Sequence, residues 1–163
     1  SLGFTPSGRG SQSWLDERHP SSLQPGKRPR LTPNPAIAFK DGKPWMPFGT
    51  PGGDAQCQTM VQVFLNISVF EMHVQQAIEA PRFLTWNFPN SFWPHGYIAG
   101  RLQLERGVGS EVAGALERRG HEIEWRSEYD GITGVACAIV MDPDNGTRSG
   151  GADLRRESYA IGR

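Results

Sequence analysis

The first 35 residues show neither a helical nor a strand period of apolar positions. Pro20, Pro25, Pro29, Pro33 and Pro35 break up a stretch rich in Ser, Gly and Arg. Proline lacks the N–H and biases the residue before it away from helix, so this segment predicts a long loop. From Ala36 the texture changes. Ala36–Lys40 reads as a strand, Asp41-Gly42 as a two-residue turn and Pro44–Phe48 as the returning strand. The chain then passes through Gly49-Thr50-Pro51-Gly52-Gly53-Asp54 into residues 55–70, which contain no charge, no Gly and no Pro. This run predicts a helix. Its apolar residues, among them Met60, Val63, Phe64 and Ile67, cover most of the circumference, while Gln58, Gln62 and Asn66 form one stripe four residues apart. A solvent face would carry Lys and Glu there. An amide stripe predicts a helix packed on two sides, its amides bonded to neighbouring backbone.

Further on, Val74–Ala80 predicts a short helix stopped by Pro81. Residues 81–100 are aromatic and irregular, with Trp86, Phe88, Phe92, Trp93 and Tyr97, and are expected to pack as core or at a subunit interface. Leu102–Glu105 reads as a strand. A helix follows from Ser110, its expected cap, to Arg119, and Gly120 closes it. Strands are expected over 121–125 and 135–141, then a turn over 142–146 and a last short strand over 150–153. Helices and strands alternate without any repeat, so the chain is α/β or α+β. It divides into a Pro/Gly/Ser-rich loop region, 1–35, and a folded portion, 36–163.

Lys+Arg and Asp+Glu are 17 each, so the formal net charge is zero. That excludes a nucleic-acid binder that works by bulk charge. No run approaches the ~18 apolar residues of a membrane-spanning helix, and no leader is recognisable. Cys57 and Cys137 form no C-x-x-C pattern and lie in apolar runs, which predicts two buried free thiols. His19, His73, His95 and His121 are scattered without ligand spacing, so neither a metal nor a cofactor is expected. The Lys27, Arg28 and Arg30 cluster reads as structural, tying its loop to carboxylates or helix ends. Asn66-Ile67-Ser68 matches a glycosylation acceptor but falls inside the predicted helix and is discounted.

The sharpest chemical signal is the strand–Gly-Thr-Pro-Gly-Gly-Asp–helix join. Gly52 and Gly53 allow a sharp turn and close approach of a ligand to the backbone. The first N–H groups of a helix have no internal partner and attract negative charge. The sequence is neither a Walker A loop nor G-x-G-x-x-G. Asp54 is expected to cap the helix and take some of those donors. A permanent phosphate would then be repelled, whereas a carbonyl that becomes an oxyanion only in the transition state fits.

Taken together, several segments resemble the gamma-glutamyltransferase family. They are Pro25-Gly-Lys-Arg-Pro29, Asp41-Gly-Lys-Pro44, Gly49-Thr-Pro-Gly-Gly-Asp54, Gln58-Thr-Met-Val-Gln62, Gln76-Ala-Ile-Glu-Ala-Pro-Arg-Phe83, Gly120-His121, Gly150-Gly-Ala-Asp153 and Tyr159-Ala-Ile-Gly162. The resemblance implies an N-terminal-nucleophile hydrolase with an αββα sandwich. In that family a precursor cleaves itself into large and small subunits, and the new N-terminal Thr attacks a gamma-glutamyl amide, its own amine serving as base. This chain resembles the C-terminal part of the small subunit. The partners implied are the large subunit, the N-terminal part of the small subunit and a small-molecule gamma-glutamyl or related acyl donor. The nucleophilic Thr is expected upstream of Ser1, and Ser1 itself is not expected to be the nucleophile. Thr50 reads as a turn residue and Thr59 as a helix residue. A periplasmic or extracellular location is implied, with the cytoplasm left open.

Carried across residue by residue, Gly52 and Gly53 match the paired glycines of the family's oxyanion hole. Gln12 stands where the family has the acid that binds the donor's alpha-ammonium. Leu31 and Thr32 stand at the Ser-Ser pair that holds its alpha-carboxylate. Arg9, in the same loop as Gln12, is a candidate for binding a substrate carboxylate. An intact oxyanion hole beside a changed amino-acid clamp suggests amide hydrolysis with an altered donor, as in a cephalosporin-acylase-like branch. Two other readings are a non-catalytic scaffold and a phosphate-binding α/β module.

Overall fold

The computed structural model describes residues 3–5 and 7–162. Ser1 therefore lies outside the described residues. The elements are β1 (Ala36–Lys40), β2 (Lys43–Gly49), α1 (Gln56–Ser68), α2 (Val74–Glu79), β3 (Phe83–Thr85), β4 (Arg101–Glu105), α3 (Ser110–Glu117), β5 (Glu122–Arg126), β6 (Cys137–Met141) and β7 (Arg148–Ala152). Single 3-10 turns occupy Gly8–Gln12, Gly53–Ala55 and Gly131–Thr133.

Two sheets result. The first is antiparallel in the order β1-β2-β6-β7, and the second runs β3-β4-β5 with β4 and β5 parallel. Parallel strands need a crossover, and α3 supplies it. At the β1–β2 hairpin Asp41 (φ 51°) and Gly42 (φ 76°) are both left-handed, as a type I′ turn requires. The main core lies between the first sheet and the α1/α2 pair, where Met46, Val63, Ile67, Val74, Ala77, Ile78, Ala136 and Ala138 are buried together. A smaller core of Leu102, Leu104 and Ala113 holds α3 on the second sheet. Helix α2 rests directly on bare backbone: a Cβ on Gly151 of β7 would fall 2.8 Å from Ile78 Cδ1 and 3.2 Å from the carbonyl carbon of Val74.

The amide stripe of α1 does what its pattern predicts. Gln58 Nε2 donates to the Thr85 carbonyl (3.2 Å) while its Oε1 accepts from the Thr85 N–H (2.8 Å). Gln62 repeats the pair on Phe83, at 2.9 and 3.1 Å. Asn66 Nδ2 reaches the Ala77 carbonyl at 3.3 Å. The two glutamines thus pair the free edge of β3 as a neighbouring strand would. The third side of α1 stays open, with Val61 and Leu65 exposed.

A buried ionic network joins the end of α2 to β4 and to the segment after β7. Arg82, Glu105, Asp153 and Arg155 are all buried. Arg82 Nη2 donates to Asp153 Oδ2 at 2.7 Å, and Arg155 Nη1 to Asp153 Oδ1 at 3.1 Å. Arg155 also forks onto Glu105 through Nε (2.7 Å) and Nη2 (2.5 Å). Burial pulls the Arg82 guanidinium below its ordinary value, against the raising effect of Asp153. Burial is also the largest single influence on Arg155 and opposes its charge, but the hydrogen bonds and charges of Glu105 and Asp153 together outweigh it and hold Arg155 above the ordinary value.

Several expectations are corrected. Cys57 and Cys137 are free, as expected, but exposed rather than buried, because each points from its element away from the main core. Ser110 is the first residue of α3 and not its cap; Gly109 holds the cap position with no side-chain bond. The aromatic stretch does not form a core: Trp93 and Tyr97 are each more than half exposed, and the buried members of the loop are Ser91 and His95. β3 appears inside the segment expected to be irregular. β6 starts at Cys137 because the Val135 N–H is diverted to Thr50 Oγ1 at 2.7 Å.

Candidate active site

The segment joining β2 to α1 leaves the sheet at Gly49 and turns at Gly52 (φ 139°) and Gly53 (φ 56°) before the 3-10 turn that starts α1. Both φ values lie in the region that side chains other than hydrogen rarely adopt. Among the described residues, neither glycine's N–H donates to a protein acceptor. The turn is backed by Gly134 (φ 90°), where a Cβ would fall 2.8 Å from Thr50 Oγ1 and 3.0 Å from Thr59 Oγ1. Thr50 Oγ1 donates to the Pro51 carbonyl at 2.7 Å and accepts the Val135 N–H, so it fixes the turn to the segment that leads into β6. Thr59 Oγ1 donates to the Thr133 carbonyl. Both threonines therefore have the structural roles their positions suggest.

Asp54 is not a helix cap, which corrects the expectation. Its carboxylate points away from the turn, accepting the Ser91 N–H at 2.8 Å and the Ser91 hydroxyl at 2.5 Å, and lies 3.9 Å from Arg30 Nη2. The cause is long-range: Ser91 offers two donors in one place, and a local cap would satisfy fewer. The free N–H groups of the turn are left to an outside acceptor. Asp54 also fastens the 87–95 loop over the turn, with Phe92 Cε2 3.9 Å from where a Gly53 Cβ would be. Phe88, from the same loop, lines an open cavity of about 410 Å³ together with Gly53, Arg30 and Thr32.

The first loop comes close to this region without joining it. Arg9 Nη1 donates to Gln12 Oε1 at 3.3 Å, and Gln12 is buried. The loop is anchored by Trp14, which stacks on His95 with ring centroids 4.1 Å apart. Gln12 lines a second cavity, of about 340 Å³, along with Lys27, Arg28 and Arg30. Arg30 belongs to the wall of both cavities. Thus Thr32, Gly53 and the more exposed Leu31 meet in one cavity, and Gln12 sits in the next with Arg9 held on it. The structural reading of the basic cluster holds only for Arg30, beside Asp54. Lys27 bonds the Ser22 hydroxyl, and no carboxylate lies within 4 Å of Lys27 or Arg28 among the described residues. Sequence reasoning missed Ser91 and the place of Arg30 between the cavities. Both depend on contacts between distant segments.

Comparison with known proteins defines the class. The chain belongs to the gamma-glutamyltranspeptidase family, whose sequence model matches residues 3–163. It is 37% identical over 154 residues to the glutathione hydrolase-like YwrD proenzyme of Bacillus subtilis, and 34% identical over 158 residues to the oxamate amidohydrolase proenzyme of Klebsiella pneumoniae. Each match covers 94% of this chain and 28% of the relative, so the chain spans less than a third of the length of these curated relatives. The solved structure of LmbA2991HD is 40% identical and superposes with a TM-score of 0.91, covering 99% of this chain and 29% of that one. The mixed α+β fold is shared with solved structures of gamma-glutamyltranspeptidases.

Proposed function

We propose that this chain is the portion of an N-terminal-nucleophile amide hydrolase or acyltransferase that supplies the oxyanion hole and part of the acyl-donor pocket. The observation that carries this reading is the pair of adjacent, unbonded N–H groups at Gly52 and Gly53, in a turn whose nearest acid is held elsewhere. Residues 1–35 serve as the substrate-facing loop region and residues 36–163 as the body. The nucleophilic hydroxyl and its base come from a segment outside these 163 residues, and the rest of the precursor completes the pocket. That assignment is supported by the 28% share of each proenzyme relative that the chain covers.

In this reading the nucleophile adds to the amide carbon and the carbonyl oxygen takes up the negative charge. The N–H groups of Gly52 and Gly53 donate to that oxygen as its charge develops, at no cost in reorganisation. The intermediate collapses, the C–N bond breaks and the amine leaves with the proton that the base took from the nucleophile. Water, or an amine acceptor, then attacks the acyl ester and frees the nucleophile. Arg9, Gln12 and Thr32 are assigned to the donor side of the pocket. Reaction of this type requires no metal or organic cofactor.

Replacing Gly53 by Val in the self-processed full-length enzyme tests the assignment. A Cβ at Gly53 meets nothing closer than 3.9 Å, so the substitution acts on the backbone at φ 56° rather than by collision. Loss of one oxyanion donor lowers kcat by roughly 10²–10³. KM should change far less, because the donors serve the developing charge and not the ground-state carbonyl. An unchanged kcat would refute the oxyanion assignment.

A further inference from the structure

His95 is buried in the loop that lies over the glycine turn, and both of its ring nitrogens face carbonyl oxygens. Nδ1 is 2.8 Å from the Asn90 carbonyl, in the same loop, and Nε2 is 3.2 Å from the Ser13 carbonyl, in the first loop. A carbonyl oxygen only accepts, so each contact needs an N–H on the ring side. Neutral imidazole carries one N–H and one lone pair, whereas imidazolium carries two N–H groups. Only the doubly protonated ring makes both bonds. In the neutral ring one carbonyl faces a lone pair and loses its donor.

The aromatic surroundings are a second, independent observation. The His95 ring lies flat on Trp14, with centroids 4.1 Å apart and planes 2° from parallel, and Trp93 stands perpendicular to it at 6.0 Å. An indole face attracts a cation. No carboxylate lies within 4 Å of the ring among the described residues. The other charged groups of the segments packed here are engaged elsewhere or exposed. Asp16 pairs with Arg18, Arg9 donates to Gln12, Lys27 bonds the Ser22 hydroxyl, Asp54 accepts from Ser91 beside Arg30, and Glu17 is exposed. His19 also stacks on Trp14, at 4.1 Å, but its Nδ1 accepts the Ser21 N–H at 3.0 Å. A proton added there would break a bond, the opposite of its effect at His95.

We propose that His95 is a positioning residue whose doubly protonated ring fastens residues 8–23 of the first loop to the loop over the glycine turn. Its Ser13 partner follows Gln12 directly, and the Trp93 N–H donates to the Ser11 carbonyl, on the other side of Gln12, at 2.8 Å. Four residues before His95, Ser91 is bonded to Asp54 of the turn. The loop thus ties the turn to the residues that flank Gln12. Because the attached state binds the extra proton, attachment is complete at acid pH and is lost as pH rises through the titration of His95. Its effect on catalysis rests on the proposed function; the attachment itself does not.

Hydrogen exchange of the self-processed full-length enzyme, read peptide by peptide and corrected for the intrinsic pH dependence of exchange, tests the attachment. Residues 8–23 should exchange at least about 10-fold faster at about pH 8 than at about pH 5, while α1 keeps its rate. In His95→Phe, which keeps a flat ring but has no donor, residues 8–23 should exchange fast at both. His19→Asn keeps an acceptor for the Ser21 N–H and should keep the pH step. With gamma-glutamyl-p-nitroanilide at the acid end, His95→Phe should raise KM by about 5-fold or more with kcat within about 2-fold, and the difference should close as pH rises. Exchange of the first loop that does not change with pH in the wild type, a pH step that survives in His95→Phe, or one that vanishes in His19→Asn would each overturn the proposal. So would equal KM values for His95→Phe and wild type at acid pH. If the wild type cleaves no anilide, the failure lies with the proposed function, and hydrogen exchange alone decides the attachment. If His95→Phe does not fold, the wild-type pH step and its persistence in His19→Asn decide.

Discussion

Removing the carboxylate of Asp153 should unfold most of what the network holds together. Its Oδ2 accepts from Arg82 Nη2 and the Ala136 N–H, both at 2.7 Å, and its Oδ1 from the Arg155 N–H at 3.0 Å and Arg155 Nη1 at 3.1 Å. The side chains of Arg82, Asp153 and Arg155 are all 2% exposed or less. In Asp153→Ala two buried guanidinium groups are left with Glu105 as their sole carboxylate, and two backbone N–H groups, those of Ala136 and Arg155, lose their acceptor. Taking one partner from a buried pair costs about 3–5 kcal/mol, against a total domain stability of roughly 5–15 kcal/mol. Asp153→Asn is the sharper probe. It keeps shape and volume, but one of its two terminal atoms becomes a donor facing donors, so it should recover little of the loss. The double replacement Arg82→Met with Asp153→Leu should cost less than the two singles added, because it removes charge and counter-charge together. Urea unfolding read by tryptophan fluorescence and far-ultraviolet dichroism measures each variant. A loss below about 1 kcal/mol in Asp153→Ala at unchanged slope would refute the reasoning.

Two further outcomes follow from the turn. Ser91→Ala removes the 2.5 Å hydroxyl bond that helps hold the Asp54 carboxylate away from the glycine N–H groups. It should lower kcat several-fold, and much less so when Asp54→Asn is already present; additive effects on kcat would contradict this. Gly134→Ala forces a Cβ to within 2.8 Å of Thr50 Oγ1 at φ 90°, and should destabilise by about 1–3 kcal/mol. An unchanged melting temperature for Gly134→Ala would mean that the Thr50 and Thr59 contacts give way freely.

What could be read from sequence was whatever local chemistry decides. The hairpin at Asp41-Gly42 was legible because few turns suit that dipeptide. The amide stripe of α1 was legible because its spacing and lack of charge predict both its shape and its use. Gly52 and Gly53 stood out because side chains rarely tolerate their backbone. The failures share one physical origin. Asp54 follows a local rule until Ser91, far along the chain, offers it two donors. β3 is three residues long, and its edge is completed by side chains of a helix, which no strand pattern encodes. Arg82, Glu105, Asp153 and Arg155 read singly as surface charges, and their burial is set by tertiary closure alone. Exposure of Cys57 and Cys137 depends on which face of their element the core takes, a choice that apolar neighbours on both sides do not reveal. Gln12 reads from sequence as a changed residue at the family's acid position, while its burial and its bond from Arg9 depend on the fold of the loop.

The order of the first sheet also has a consequence in time. β1, β2 and α1 leave the ribosome before their core partners Ala136 and Ala138 and the strands β6 and β7. Until then β2 presents an unpaired edge, and Met46 and Val63 are only partly covered, the condition in which a nascent chain depends on chaperones. The glycine turn waits still longer for its shape, since Gly134, Val135 and Ser91 all arrive after the glycines they position. The two N–H groups of the turn are therefore set only when the sheet is closed, and under the proposed function the half-made chain has no formed site with which to react.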